Sequence, residues 1–464
     1  MKRARNLAIT AVVAAGLFAA APAIAKDRVV AVKGVDGPGP AKYDKTYVTK
    51  MGPASAKNVL VLMPGFIGGA GDFTLIGHYL TSKIPNLQVW AIDRRSQALE
   101  DVSTFRKALA GSVSLQQMFD HYLGWVTNGG TPADHFNFLD PSTVQFAKQW
   151  GLPMTLGDER KVVLAASDGG RRNVILGGHS LGASMTTAYA AWDFNGHPGY
   201  KDVDGLVLID GGLLGSFDAY DLSQAQTAVA NLDAAASPFA DLLKLGFPEA
   251  AGLFAEVGGT YARLAPKAPA TTLQSYPLLP LGFNPHNPDK SIIPSTNRGV
   301  LGYALDRDTS PTSLRLLQVN GGELASSGDP RDWVDGGVTP VSRLARTLGQ
   351  EPSNAVEWYF PLRLTIDVNG ANQLKQNAAA NFLGLRLKHL KQVDIPVYAV
   401  QTDLTDGRVL KGAKRFIAES KTTLKESKLV NADPQQSHLD PLTAAPAKNA
   451  FLKTVVPFLK KNFR

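Results

Sequence analysis

Gly178-His179-Ser180-Leu181-Gly182 is the five-residue stretch of this chain best suited to do chemistry. The residues before it, 173–176, form a short apolar run of the kind that builds a buried strand. Those after it, 183–191, are small and helix-forming. A tight turn between such a strand and helix lifts a serine onto a sharp corner, where its hydroxyl can meet a base on one side and a substrate carbonyl on the other. The chemistry implied is nucleophilic attack by Ser180. The plainer alternative is a glycine-rich turn in which Ser180 merely caps the helix. A serine hydroxyl is a weak nucleophile unless a base lies within hydrogen-bond reach, and the chain offers eight histidines. The Leu181 N–H, at the start of the helix, is placed to donate to an oxyanion, and the helix dipole favours negative charge there.

Composition removes several other chemistries. There is no cysteine, hence no thiol nucleophile, disulfide or thiolate metal site. No histidine–carboxylate cluster has metal-ligand spacing and no G-x-G-x-x-G follows a strand, so neither a metal nor a cofactor is expected. Gly65, Gly68 and Gly69 form no phosphate cradle, because the Walker lysine and hydroxyl are missing. The net charge of +8 is spread thinly, its densest cluster being Lys453, Lys460, Lys461 and Arg464, which speaks against a nucleic-acid partner. Lys2, Arg3 and Arg5 precede an apolar run over 7–21, and Ala23-Ile24-Ala25 has the small-x-small cleavage pattern. Residues 1–25 therefore read as a signal peptide. The mature chain is expected to start near Lys26, to be exported to a periplasm or the cell exterior, and to keep no membrane span.

These residues require a frame. Strands are expected at 28–33 and 46–50, as an opening pair, then at 58–63, 87–92, 201–210, 395–400 and 429–430. Helices are expected at 73–83, 158–166, 409–420 and 447–462, with a loop-rich, aromatic connection over 97–150. Strand and helix alternate with loops at the carboxyl ends of the strands, the pattern of a parallel sheet. Residues 211–389 break the alternation. Their length and their aromatics Trp333, Trp358, Phe360 and Phe382 predict a sub-core of their own.

Over residues 55–215 and 390–464 this pattern resembles the α/β-hydrolase superfamily. The resemblance implies an α/β-hydrolase fold, a mostly parallel sheet flanked by helices, with a cap or lid inserted between the strand ending at Asp210 and the strand at Ile395. The divisions are then 1–25 signal, 26–212 and 390–464 the two parts of the core, and 213–389 the cap. It also implies a base at His438, in the loop Ser437-His438-Leu439-Asp440 before the last helix. For the acid that orients it the family offers two positions. One is the end of the strand after the elbow, occupied by Asp210; the other follows the strand at 395–400, where Asp403 and Asp406 flank the expected place without matching it. Asp440 reads as a turn cap, and His179 as packing. Pro64-Gly65-Phe66 looks like the family's His-Gly-x turn with proline for histidine, which makes Phe66 the second oxyanion donor, ahead of Ile67.

The function so implied is hydrolysis of a carboxylic ester with a hydrophobic acyl or alcohol group, a small-molecule or lipid-like substrate, through an acyl-enzyme. A peptidase or amidase would use the same residues. A non-catalytic binding module on the same scaffold is the third reading, disfavoured because serine, histidine, a candidate acid and both oxyanion segments occur together.

Overall fold

The computed structural model describes residues 27–131, 134–279, 281–349 and 355–463, so the expected leader at residues 1–25 lies outside them. β1 (Arg28–Lys33) and β2 (Lys45–Met51) pair antiparallel. β3 (Asn58–Met63) leads through α1 (Thr74–Lys83) to β4 (Leu87–Asp93), and every residue of β3 and β4 is buried. Strands apolar along their whole length must be covered on both faces. α2 (Leu152–Ser167) then precedes β5 (Asn173–His179), and α3 (Leu181–Ala191) precedes β6 (Gly205–Ile209).

After β6 come nearly 190 residues without a strand of the main sheet. They include α4 (Ala250–Leu264), α5 (Asn297–Leu305) and α6 (Val341–Leu348). The sheet resumes at β7 (Val397–Gln401), followed by α7 (Arg408–Glu419), β8 (Lys428–Asn431) and α8 (Ala450–Asn462). The order across the sheet is β1-β2-β4-β3-β5-β6-β7-β8, parallel from β4 to β8. α1 packs with α8 and α2 with α3, so helices cover the sheet as its apolar strands demand. This is the α/β-hydrolase fold.

Three expectations need correction. The connection over 97–150 is largely helical, with short pieces at Ser103–Leu109, Leu115–Phe119, Trp125–Asn128 and Pro141–Gln149. Each is too short to show a helical period in sequence. The helix expected at 158–166 begins at Leu152, where Pro153 occupies the first turn. Third, the sub-core assigned to 211–389 is shared. Phe105, Tyr122, Phe136 and Trp150 of the connection pack with Trp358 and Tyr359, whereas Trp333 and Phe360 join the main core and Phe382 is exposed. Edge-on ring pairs, such as Phe105 on Trp358 and Phe136 on Trp358, tie the two segments together.

Candidate active site

Ser180 stands at the corner between β5 and α3 with φ 57° and ψ −122°, a conformation costly for any residue with a Cβ. Neighbouring backbones over-determine it. The Ser180 N–H donates to Ile209 O at 2.8 Å, extending the β5–β6 ladder past the end of β5. Both elbow glycines sit where a side chain cannot: a Cβ on Gly178 would lie 2.3 Å from the Gly182 carbonyl carbon, and one on Gly182 2.0 Å from Met63 O. Ser180 is buried, 5% exposed, and its hydroxyl makes no hydrogen bond to any described residue.

Asp210 follows directly on β6, its N–H donating to Val400 O of β7 at 2.8 Å and its φ at 46°. The fully buried carboxylate faces the ring of His438, with Oδ2 2.5 Å from Nδ1. A carboxylate at Nδ1 fixes that nitrogen as the donor and leaves Nε2 as the acceptor. Thr402, just beyond β7, donates its N–H to Oδ1 at 2.8 Å and its hydroxyl to Oδ2. Burial alone would raise the Asp210 pKa; the histidine and the two Thr402 donors outweigh it and hold the acid below its ordinary range. Nε2 of His438 is free of any described partner.

The other two acids lie elsewhere. Asp406 is exposed in the turn before α7. Asp403 accepts from the Ser437 hydroxyl at 3.0 Å and has Arg307 at 3.8 Å, so it braces the histidine loop from outside without touching the ring. Asp440 does more than cap. It accepts from the Ser437 N–H at 2.7 Å, the Asn320 N–H and the Thr339 hydroxyl at 2.6 Å, which fastens the histidine loop to the insertion, and burial pushes it up to about 7. His179 points its Nε2 at His438 O, 2.9 Å away, and a carbonyl acceptor requires the proton on that nitrogen. Burial, with the neighbouring His438, pushes His179 down to about 3, so it stays neutral. Of the remaining histidines, His78 pairs with Asp27, His197 with Asp202 and His389 with Gln392, all away from the elbow.

The segment after β3 is gripped by Arg94, which follows β4 directly. Its guanidinium donates to Pro64 O at 2.9 Å, Gly65 O at 2.8 Å and Gly68 O at 2.9 Å, and pairs with the buried Glu357. Within the segment so held, the Gly68 N–H turns back to Gly65 O at 3.2 Å. Neither Phe66 nor Leu181 has an acceptor for its N–H among the described residues. Ile67, the alternative donor, has φ 50° and gives its carbonyl to the Glu357 N–H at 2.7 Å. An invariable charge buried beside a matching one is the only signal for Arg94, and it exists only in three dimensions.

Among the described residues no group of three or more histidine and acidic side chains is arranged to hold a metal ion. None of their helices is long and apolar enough to cross a membrane.

No family model and no curated protein matches this chain. Among solved structures it is similar to a protein named as a lipase candidate from Sulfolobus solfataricus, at 13% identity over 95% of this chain and 97% of that one, TM-score 0.49. An esterase from Thermogutta terrifontis is 10% identical over 94% and 100% of the two chains, TM-score 0.41. A monoglyceride lipase variant from Saccharomyces cerevisiae is 12% identical over 93% and 94%, TM-score 0.39.

Proposed function

We propose that this α/β-hydrolase-fold chain is an exported serine hydrolase that cleaves carboxylic esters, with residues 213–389 as a cap over the core. One observation carries the reading: the buried Asp210 carboxylate sits on Nδ1 of the buried His438, whose other ring nitrogen no described residue claims, and the buried Ser180 is tied through its N–H to Ile209 O, one residue before Asp210.

In the reaction so proposed, Ser180 Oγ attacks the ester carbonyl as its proton passes to Nε2 of His438. Asp210 keeps the ring in its tautomer and balances the imidazolium charge without taking the proton. The Leu181 and Phe66 N–H groups receive the developing oxyanion; one such donor is worth roughly 3–4 kcal/mol of transition-state stabilisation. Collapse expels the alcohol, protonated from Nε2. Water, deprotonated by the same nitrogen, then attacks the acyl-serine, releases the acid and regenerates the hydroxyl.

The test is fluorophosphonate labelling of the mature protein beside Ser180→Ala, with nitrophenyl esters and a matched anilide in the same samples. Labelling and ester cleavage lost together in the variant is the expected result. Failure of the wild type to label or cleave would overturn it, and faster turnover of the anilide would replace the ester with an amide. Export is tested by locating the processed chain after fractionation; a retained leader would refute it.

A further inference from the structure

A cavity of about 70 Å³ lies between α4 and α5, walled entirely by apolar groups, among them Leu243, Phe254, Phe283 and Leu317. These four are only half-buried although the space between them is apolar, so the cavity is open on one side and not a sealed packing void. Its walls come from both cores: Leu301 and Leu305 belong to the main one, Val300 and Leu273 to the aromatic one. Seams of this kind are where ligand pockets form.

Two chain segments carry its walls to the candidate site. Leu317 is followed by Gln318, whose carbonyl accepts the N–H of Leu439, the residue after His438, at 3.1 Å. On the opposite wall, Leu243 lies three residues beyond Ala240. The Ala240 N–H donates to Phe360 O at 3.0 Å, and the Phe360 ring stacks edge-on against Phe66 at 4.6 Å. One wall of the cavity is thus tied to the histidine loop and the opposite wall to the segment after β3.

Gly258 supplies the independent observation. It lies in the interior of α4, where glycine destabilises a helix relative to alanine. Its helix neighbours have a steric reason to be glycine: a Cβ on Gly252 would fall 2.1 Å from Trp358, and one on Gly259 2.5 Å from Leu348. At Gly258 the nearest atom is Leu301 Cδ1 at 3.8 Å, and its φ is not in the left-handed region. Neither packing nor backbone requires glycine here. What the missing side chain preserves is the open space of the cavity.

We infer that this cavity seats the aliphatic tail of the substrate, and that Gly258 is a specificity-determining residue which keeps it open. The inference rests on the ester-hydrolase reading for its reaction, but not for its binding. The volume is about twice the roughly 30 Å³ a water occupies in the liquid and half that of an engineered cavity that holds benzene, which suits a short or branched chain of a few carbons. An apolar pocket that small gains about fourfold in affinity per methylene that enters it.

The experiment measures kcat/KM for nitrophenyl esters from acetate to hexanoate, and for butyrate esters of alcohols of rising length, in wild type and Gly258→Leu. Hexan-1-ol binding by calorimetry runs alongside. In wild type, kcat/KM should climb about fourfold per methylene along one of the two series until the cavity is full, and that series identifies whether the acyl or the alcohol chain enters. Gly258→Leu should flatten the climb and abolish hexan-1-ol binding. Should Gly258→Leu not fold, Gly258→Ala, with a higher melting temperature and a climb shortened by one carbon, gives the same answer. A slope unchanged in a folded variant, or hexan-1-ol bound equally by both proteins, overturns the inference. If the wild type cleaves no ester, the hydrolase reading fails while loss of hexan-1-ol binding in Gly258→Leu still upholds the cavity.

Discussion

β3 and β5 pair residue for residue from Asn58 with Asn173 to Met63 with Gly178, whereas the insertion between β6 and β7 reaches the candidate site through one short backbone bridge at Gly68 and Val356 and scattered polar contacts. Glu357 meets Arg94, Gln318 O takes the Leu439 N–H, and Asn320 and Thr339 donate to Asp440. In the sheet each strand end is placed by many redundant backbone bonds and by apolar side chains with no alternative partner. In the insertion, placement depends on a few buried polar ties between residues more than 100 positions apart. A sheet of the first kind degrades gradually when one side chain is trimmed. A tie of the second kind leaves an unpaired buried group when it is cut, so the cost is abrupt.

Substitutions test that contrast. Ser180→Ala removes the proposed nucleophile from the elbow and should lower ester turnover by about 10⁶-fold with the melting temperature nearly unchanged, as read by initial rates and calorimetry. Asp210→Asn should cost roughly 10⁴-fold in kcat by allowing the wrong His438 tautomer. Arg94→Met should destabilise the protein by about 3–5 kcal/mol in denaturant titration, because it strands Glu357 in the interior, and should also slow kcat by roughly 10²-fold through the freed oxyanion segment. Adding Glu357→Gln to Arg94→Met sharpens the comparison: stability should partly return while kcat stays low, separating the charge pair from the loop it holds.

One contribution to the pH dependence of stability comes from the sheet side. Asp210 is held below its ordinary range in the folded state, so the fold binds fewer protons than the unfolded chain around that range. Its stabilisation is present above about pH 4 and is lost as pH falls through the depressed value. The gap in melting temperature between wild type and Asp210→Asn should therefore narrow as pH is lowered below about 4. A gap that widened would mean that His438 and Thr402 do not stabilise the carboxylate. The smallest effect is expected within the ladder: Ile209→Val, one residue from Asp210, should cost about 1 kcal/mol and leave kcat within a factor of two.

The sequence alone determined the parallel sheet, the elbow at Ser180 and the histidine loop, because each is a local pattern. A run such as Val59 to Met63 has no polar residue to expose, and a glycine on either side of Ser180 permits one kind of turn. Which of Asp210, Asp403 and Asp406 meets the His438 ring needed the fold. Asp210 ends one strand and the other two follow another, and the pairing of β6 with β7 puts Thr402 and the His438 ring on the Asp210 carboxylate. Arg94, Glu357 and the sharing of aromatics between 97–150 and the insertion were likewise beyond the sequence. A buried ion pair or ring stack between distant residues leaves no period and no spacing in the chain. It exists because two segments with no local reason to meet are brought together by the burial of everything around them.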